Sequence, residues 1–193
     1  SFTAGSSIFL DAALDVRTES SLGAAGTVNV DAGHDVRVAS IEATGGVEGS
    51  GSVDGRAGRD ARIGPITTPG VGIGGPGGEV GIDALRSIYL NGVIDARGSS
   101  SGGDGGAVRL IGDSLGNLHG DVEVMAAVLV EGRGTATCGG SLEVEGSSVV
   151  LAAPVTASGE CGGFVEAFAS QALRLDPAAA IDVKAGAGCP GVV

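Results

Sequence analysis

Apolar and polar residues alternate with a period of two in short runs, and the runs recur along the chain. A Gly with an apolar residue two places on opens each of them. The openings are Gly26 (GTVNVDAGHDVRV), Gly51 (GSVDGRAGRDARI), Gly78 (GEVGIDALRSIYL), Gly106 (GAVRLIGDSLGNL), Gly140 (GSLEVEGSSVVL) and Gly163 (GFVEAFASQALRL), spaced 25, 27, 28, 34 and 23 residues apart. Counted from each Gly, the second position is Val28, Val53, Val80, Val108, Leu142 and Val165. The sixth is always small: Ala32, Ala57, Ala84, Gly112, Gly146 and Ala169. The twelfth is Val38, Ile63, Leu90, Leu118 and Leu175, with Leu151 one residue early in its coil. A third apolar stretch follows: Ile41 and Ala43, Val93, Val128 and Val130, Val155 and Ala157, Ile181 and Val183.

Period-two alternation predicts strands, and a small residue at a fixed place predicts a corner where two strands meet. Three short strands and one Gly-rich turn per repeat predict an all-β fold, a right-handed three-sided parallel β-helix (β-solenoid) of about seven coils. It would form a single domain over residues 1–193, its last coil opening at Gly191. Stacked at ~4.8 Å, seven coils rise on the order of 34 Å. Each coil buries its inner face only against its neighbours, and parallel crossovers favour the right hand. A β-sandwich, the alternative, does not explain a position that is small in every repeat.

The runs GGDGGAVRL, LNGVIDARG and DAGHDVRV resemble the degenerate repeats of large bacterial surface and secreted β-helix proteins, with the filamentous-haemagglutinin-like adhesins as the familiar examples. The resemblance extends over the whole chain. It implies an extracellular or cell-surface location and a structural or adhesive role.

Composition sharpens this picture. The 193 residues include 38 Gly, 4 Phe, 1 Tyr and no Trp, so the core is thin and aliphatic. The net charge of −12, with 11 Lys and Arg spread along the chain, offers no basic track for nucleic acid. No apolar run is long enough for a membrane-spanning helix, and no signal-peptide pattern stands at Ser1.

The two ends match. Joined, Gly191-Val192-Val193 and Ser1 to Leu10 read GVVSFTAGSSIFL, which keeps the repeat: Val193 at two, Phe2 at four, Ala4 at six, Ile8 at ten and Leu10 at twelve. Either another copy completes the coil head to tail, or the 193 residues are a segment of a longer solenoid. Both make the coil ends interfaces.

Cys138, Cys161 and Cys189 each stand two residues before a coil-opening Gly. They should stack, close enough for Cys138 to bridge Cys161 or Cys161 to bridge Cys189; three unbonded buried thiols are the alternative. Asp31, Arg56 and Asp83 form an outward charge row, and Arg109, Glu143 and Glu166 another. Two stacked carboxylates suit a retaining glycosidase, but minimal coils leave no walls for a cleft. Gly102-Gly103-Asp104-Gly105-Gly106 is one copy of a Gly-Asp pattern that binds calcium only as an array. His34 and His119 have no partner set, and no phosphate-cradling motif is present.

The expectation is a structural subunit or segment of an extracellular or cell-surface fibre, assembling head to tail through its open coil ends. It is not expected to be an enzyme, and no catalytic, cofactor-binding or metal-binding residues and no cofactor are expected. Its partners would be other copies of itself, with surface glycans as a further candidate, no nucleic acid and no membrane span. A carbohydrate-acting β-helix enzyme, lyase or glycosidase, and a glycan-binding adhesin module are the alternatives.

Overall fold

In the computed structural model, which describes residues 1–18, 22–112 and 120–186, the chain winds as a parallel β-solenoid of about six turns. No helix occurs among the described residues. The first face stacks Phe2–Ala4, Val28–Ala32, Ser52–Ala57, Glu79–Ala84 and Ala107–Gly112, then the leading halves of Ser141–Leu151 and Phe164–Leu175. The second face stacks the leading parts of Ile8–Asp15 and Val36–Glu42, then Ala61–Ile63, Ile88–Leu90, Asp121–Val124 and the trailing halves of the two long strands. The third carries the ends of Ile8–Asp15 and Val36–Glu42, then Ile66–Thr67, Ile94–Asp95, Val128–Leu129, Val155–Thr156 and Ile181–Asp182. The seven strands of each face are thus separated by six steps; the seventh opening expected at Gly191 lies outside the described residues.

The register on the first face follows the expected repeat. Val28 pairs with Val53, Val53 with Val80, Val80 with Val108, Val108 with Leu142 and Leu142 with Val165. All six are buried. The small position forms its own row, Ala32 to Ala57 to Ala84 to Gly112, and Gly146 to Ala169. Between these rows run Val30, Gly55, Ile82, Leu110 and Val144. Gly55 leaves a gap that the Ile82 δ-methyl fills, since a Cβ there would lie 2.8 Å from it.

Two expected rungs are different. Leu90 and Leu151 both pair with Val124, not with the twelfth residue of that coil, Leu118, which lies outside the described residues. The spare length of this coil therefore falls between Gly112 and Asp121, ahead of the second face. On the third face the inward residue is Ile94, fully buried between Ile66 and Val128, while Val93 is 41% exposed. A two-residue strand has one inward position and no alternation to reveal it.

From Gly51 to Gly163 the coil-opening glycines are required by close approach, whereas at Gly26 a Cβ would meet only the Val16 side chain at 3.8 Å. A Cβ on Gly106 would overlap the carbonyl oxygen of Gly78, and one on Gly140 would overlap that of Gly106. Backbone there stacks directly on backbone.

The corner between the first and second faces uses side chains. Asp35 N–H donates to Ser7 Oγ at 3.3 Å, Asp60 N–H to Asp35 Oδ1 at 3.4 Å and Ser87 N–H to Asp60 Oδ1 at 3.3 Å. Asp121 N–H then donates to Ser87 Oγ at 3.3 Å, and Ser148 N–H to Asp121 Oδ1 at 3.2 Å. Each short polar side chain accepts from the backbone one coil further on, where the strand ladder is interrupted.

Candidate functional site

The described coils terminate in two unmatched cross-sections. Among the described residues, the strands Phe2–Ala4 and Ile8–Asp15 pair on one side only, as do Phe164–Leu175 and Ile181–Asp182. Their free edges present backbone donors and acceptors without sheet partners.

The register explains what these ends expose. Phe2 pairs with Val30, Ala4 with Ala32, Ile8 with Val36 and Leu10 with Val38, so the expected positions four, six, ten and twelve hold at the first rung. Val193 and Val192, expected to complete that rung, lie outside the described residues. At the other end Leu173 pairs with Val149 and Leu175 with Leu151. Val149 and Leu151 are 0% exposed, whereas Leu173 and Leu175 are 51% and 54% exposed. The same inward positions are thus covered in one coil and open in the next. Together with Val165, Ala167 and Ile181 they line an apolar hollow of about 420 Å³.

Two of the three cysteines stack as their spacing suggests. Cys138 and Cys161 form a disulfide with Cα atoms 4.6 Å apart; Cys189 lies outside the described residues. The bridge edges a shallow groove of about 490 Å³ that follows the Gly corner, floored by Gly105, Gly106, Gly139 and Gly140, with exposed Phe164 at one end.

The outward rows are in register but pair differently from a simple alternation. Asp31, Arg56 and Asp83 stack, yet the ion pair of Asp83 is with Arg109, at 3.2 Å. Arg109 also lies 3.5 Å from Glu143. Glu143 and Glu166 are register partners on the open sheet face, so Arg109, Glu143 and Asp83 form a surface ion-pair row. The corner ahead of the second face carries another set, with Arg59 paired to Asp35 at 2.7 Å and Arg86 to Asp60 at 3.8 Å, and on the second face Arg37 pairs with Asp11 at 3.2 Å.

On the third face Arg17 pairs with Asp15, Arg97 with Asp95 and Lys184 with Asp182, each cation two residues after its carboxylate. The Arg17 and Arg59 guanidiniums hold the carboxyls of Asp15 and Asp35 below the ordinary carboxylate range, and the Lys184 backbone N–H and ammonium do so for Asp182.

Asp104 Oδ1 accepts the Cys138 N–H at 2.7 Å, which employs the one carboxylate of the Gly-Asp corner in joining two coils. His34 sits exposed at a corner, its backbone N–H donating to the Ser6 carbonyl; His119 lies outside the described residues. Among the described residues, no group of three or more His, Cys, Asp or Glu side chains could hold a metal ion. No helix among them is long and apolar enough to cross a membrane. The serine and aspartate corner row was not singled out from sequence: Asp35, Asp60 and Ser87 precede the second-face strands, but their partners become visible only once the coil register is known.

The chain matches no known family model, no curated protein and no solved structure.

Proposed function

We propose that this chain is a structural β-solenoid element that stacks end to end, the open rung at Leu173 and Leu175 of one copy meeting the Phe2 to Leu10 rung of the next, in an extracellular or cell-surface fibre. One observation carries this reading: inward positions that are 0% exposed in one coil are about half exposed in the next, on a strand that, among the described residues, is paired on one side only. A coil in the same register would cover the leucines, at about 25 cal/mol per Å² of apolar surface removed from water, and would pair the free strand edge. Top against bottom is a heterologous contact, which does not close and so propagates. The Cys138–Cys161 disulfide suits an oxidising compartment outside the cytosol. The ion-pair rows, lying on open sheet faces, suit a structural role better than catalysis.

The test is sedimentation velocity of the purified chain over a wide concentration range, with electron microscopy of the same samples. Fibres with an axial repeat on the order of 34 Å are expected, from seven rungs at strand spacing. The double variant Leu173→Asp, Leu175→Asp and the variant Phe2→Asp should give short oligomers or monomers with the circular dichroism of the folded chain. A wild-type chain that stays monomeric at high concentration overturns the fibre reading.

A further inference from the structure

The outward side chains at the two unmatched cross-sections are halves of contacts that the chain completes in its interior. Followed rung by rung, one outward row of the second face begins at Phe9 and ends at Arg174. One row of the third face begins at Asp15 and ends at Asp182. A copy added in register would therefore set its Phe9 over Arg174 and its Asp15 over Asp182.

Two interior contacts show what such neighbours do. Arg62 lies against the ring of Tyr89, its register partner one coil on, with the guanidinium carbon 4.8 Å from the ring centroid. Arg17 pairs with Asp15 at 2.6 Å and reaches on to Glu42, one coil later, at 3.2 Å. Asp15 and Glu42 are themselves register partners. Like charges so placed repel, and the guanidinium shared between them offsets this.

The C-terminal cross-section carries the lower half of both contacts. Ile181-Asp182-Val183-Lys184 repeats the pattern of Leu14-Asp15-Val16-Arg17, and Lys184 pairs with Asp182 at 3.1 Å as Arg17 does with Asp15. Arg174 stands in the same row as Arg62. With side chains 70% and 84% exposed, Arg174 and Lys184 are the most open of the ion-paired cations among the described residues. The upper halves stand at the other cross-section, as the 58% exposed ring of Phe9 and the carboxylate of Asp15.

We propose that these side chains select a second copy of this chain in one rotational register, Arg174 lying beneath Phe9 of the added copy and Lys184 bridging Asp182 to its Asp15. This rests on the end-to-end reading and supplies what that reading leaves open. Apolar burial is non-directional, so a cross-section turned by one face would still cover leucines. Turned so, Lys184 loses Asp15 and Arg174 loses Phe9. Two C-terminal cross-sections set together would leave Phe9 and Asp15 of both copies unmatched. Each contact is weak alone; together they choose among stackings that bury the same apolar surface, as charge complementarity does at other interfaces.

The test uses two charge-reversed chains in sedimentation velocity. Lys184→Glu sets a carboxylate beneath Asp15, and Asp15→Lys sets an ammonium above Lys184, so each alone should associate at least about fivefold more weakly than wild type. Mixed in equal amounts, the reversed end of one chain meets the reversed end of the other, and the unreversed ends meet as in wild type. Assembly should then recover to near the wild-type level. Arg174→Ala should weaken association about threefold, and Arg109→Ala, on a side face, should assemble as wild type. Should Asp15→Lys alter the circular dichroism, Lys184→Gln beside Lys184→Glu decides the matter: the reversal should weaken association more than the neutralisation, because only the reversal repels Asp15. A wild type that stays monomeric overturns the end-to-end reading and this register with it. A wild type that assembles while the reversed chains assemble equally well, or while their mixture recovers nothing, overturns the register alone.

Discussion

Arg59 grips the carboxylate of Asp35 across one coil step, with Nε 3.1 Å from Oδ1 and a terminal nitrogen 2.7 Å from Oδ2. The same carboxylate accepts the N–H of Asp60, next to Arg59 in the chain. One side chain thus ties two coils at a corner where strand pairing is interrupted, by a charged pair and a backbone hydrogen bond together.

This arrangement makes the corner acid-sensitive. The folded-state pKa of Asp35 is lowered chiefly by the Arg59 hydrogen bonds. Its contribution is therefore present above the unfolded carboxylate pKa of about 3.9 and is lost as pH falls through the lowered folded value. Urea unfolding should find Asp35→Asn less stable than wild type at neutral pH, with the gap shrinking below about pH 4. A gap of equal size at both pH values would assign the loss to something other than the carboxylate charge.

The glycine corners should separate sharply by position. At Gly140 an added Cβ overlaps backbone of the coil beneath, which cannot step aside, whereas at Gly5 nothing lies within 4 Å. Gly140→Ala is expected to cost more than about 2 kcal/mol, and Gly5→Ala less than about 0.5 kcal/mol. Thermal melts of the two variants beside wild type measure both.

Much of this was legible in the sequence, and the failures have a common cause. The first face is read correctly because most of its strands are long enough to show alternation, with Val28 to Ala32 and Glu79 to Ala84 giving three inward positions each. The sequence points to Val93 and the structure to Ile94, because Ile94–Asp95 has only one inward position and no alternation marks which of the two β-branched residues takes it. Counting points to Leu118 where the rung carries Val124, because counting residues assumes a constant coil length. The first rung, Phe2 to Leu10, was legible from register alone; the serine and aspartate corner row was not, since its partners lie one coil apart and follow only from the register.

Thr68 should be improvable. It is fully buried, and its hydroxyl has no hydrogen-bond partner. Thr68→Val keeps the shape and removes the unsatisfied group, so stability should rise by about 1 kcal/mol. A lower denaturation midpoint for this variant would mean that the hydroxyl does meet a partner, such as a buried water.

The disulfide should matter chiefly to the C-terminal coils. Cys138 and Cys161 close a loop with a sequence separation of 23, for which chain entropy predicts about 3 kcal/mol. Reduction, or Cys138→Ser with Cys161→Ser, should raise amide exchange in Ser141–Leu151 and Phe164–Leu175 before it affects Val28–Ala32. Uniform exchange across all coils would show that the solenoid opens as one unit.

The long coil has a practical consequence. Gly112 still pairs with Ala84, and Val124 with both Leu90 and Leu151, although this coil spans 34 residues and the next 23. The rungs on either side of Gly112 and Asp121 keep step although the chain between them is longer than in the other coils. The span between Gly112 and Asp121 is therefore a natural port for grafting: an epitope or enzyme tag inserted there would leave the rungs on either side in step, and along a stacked array it would be displayed at regular intervals like pickets on a rail.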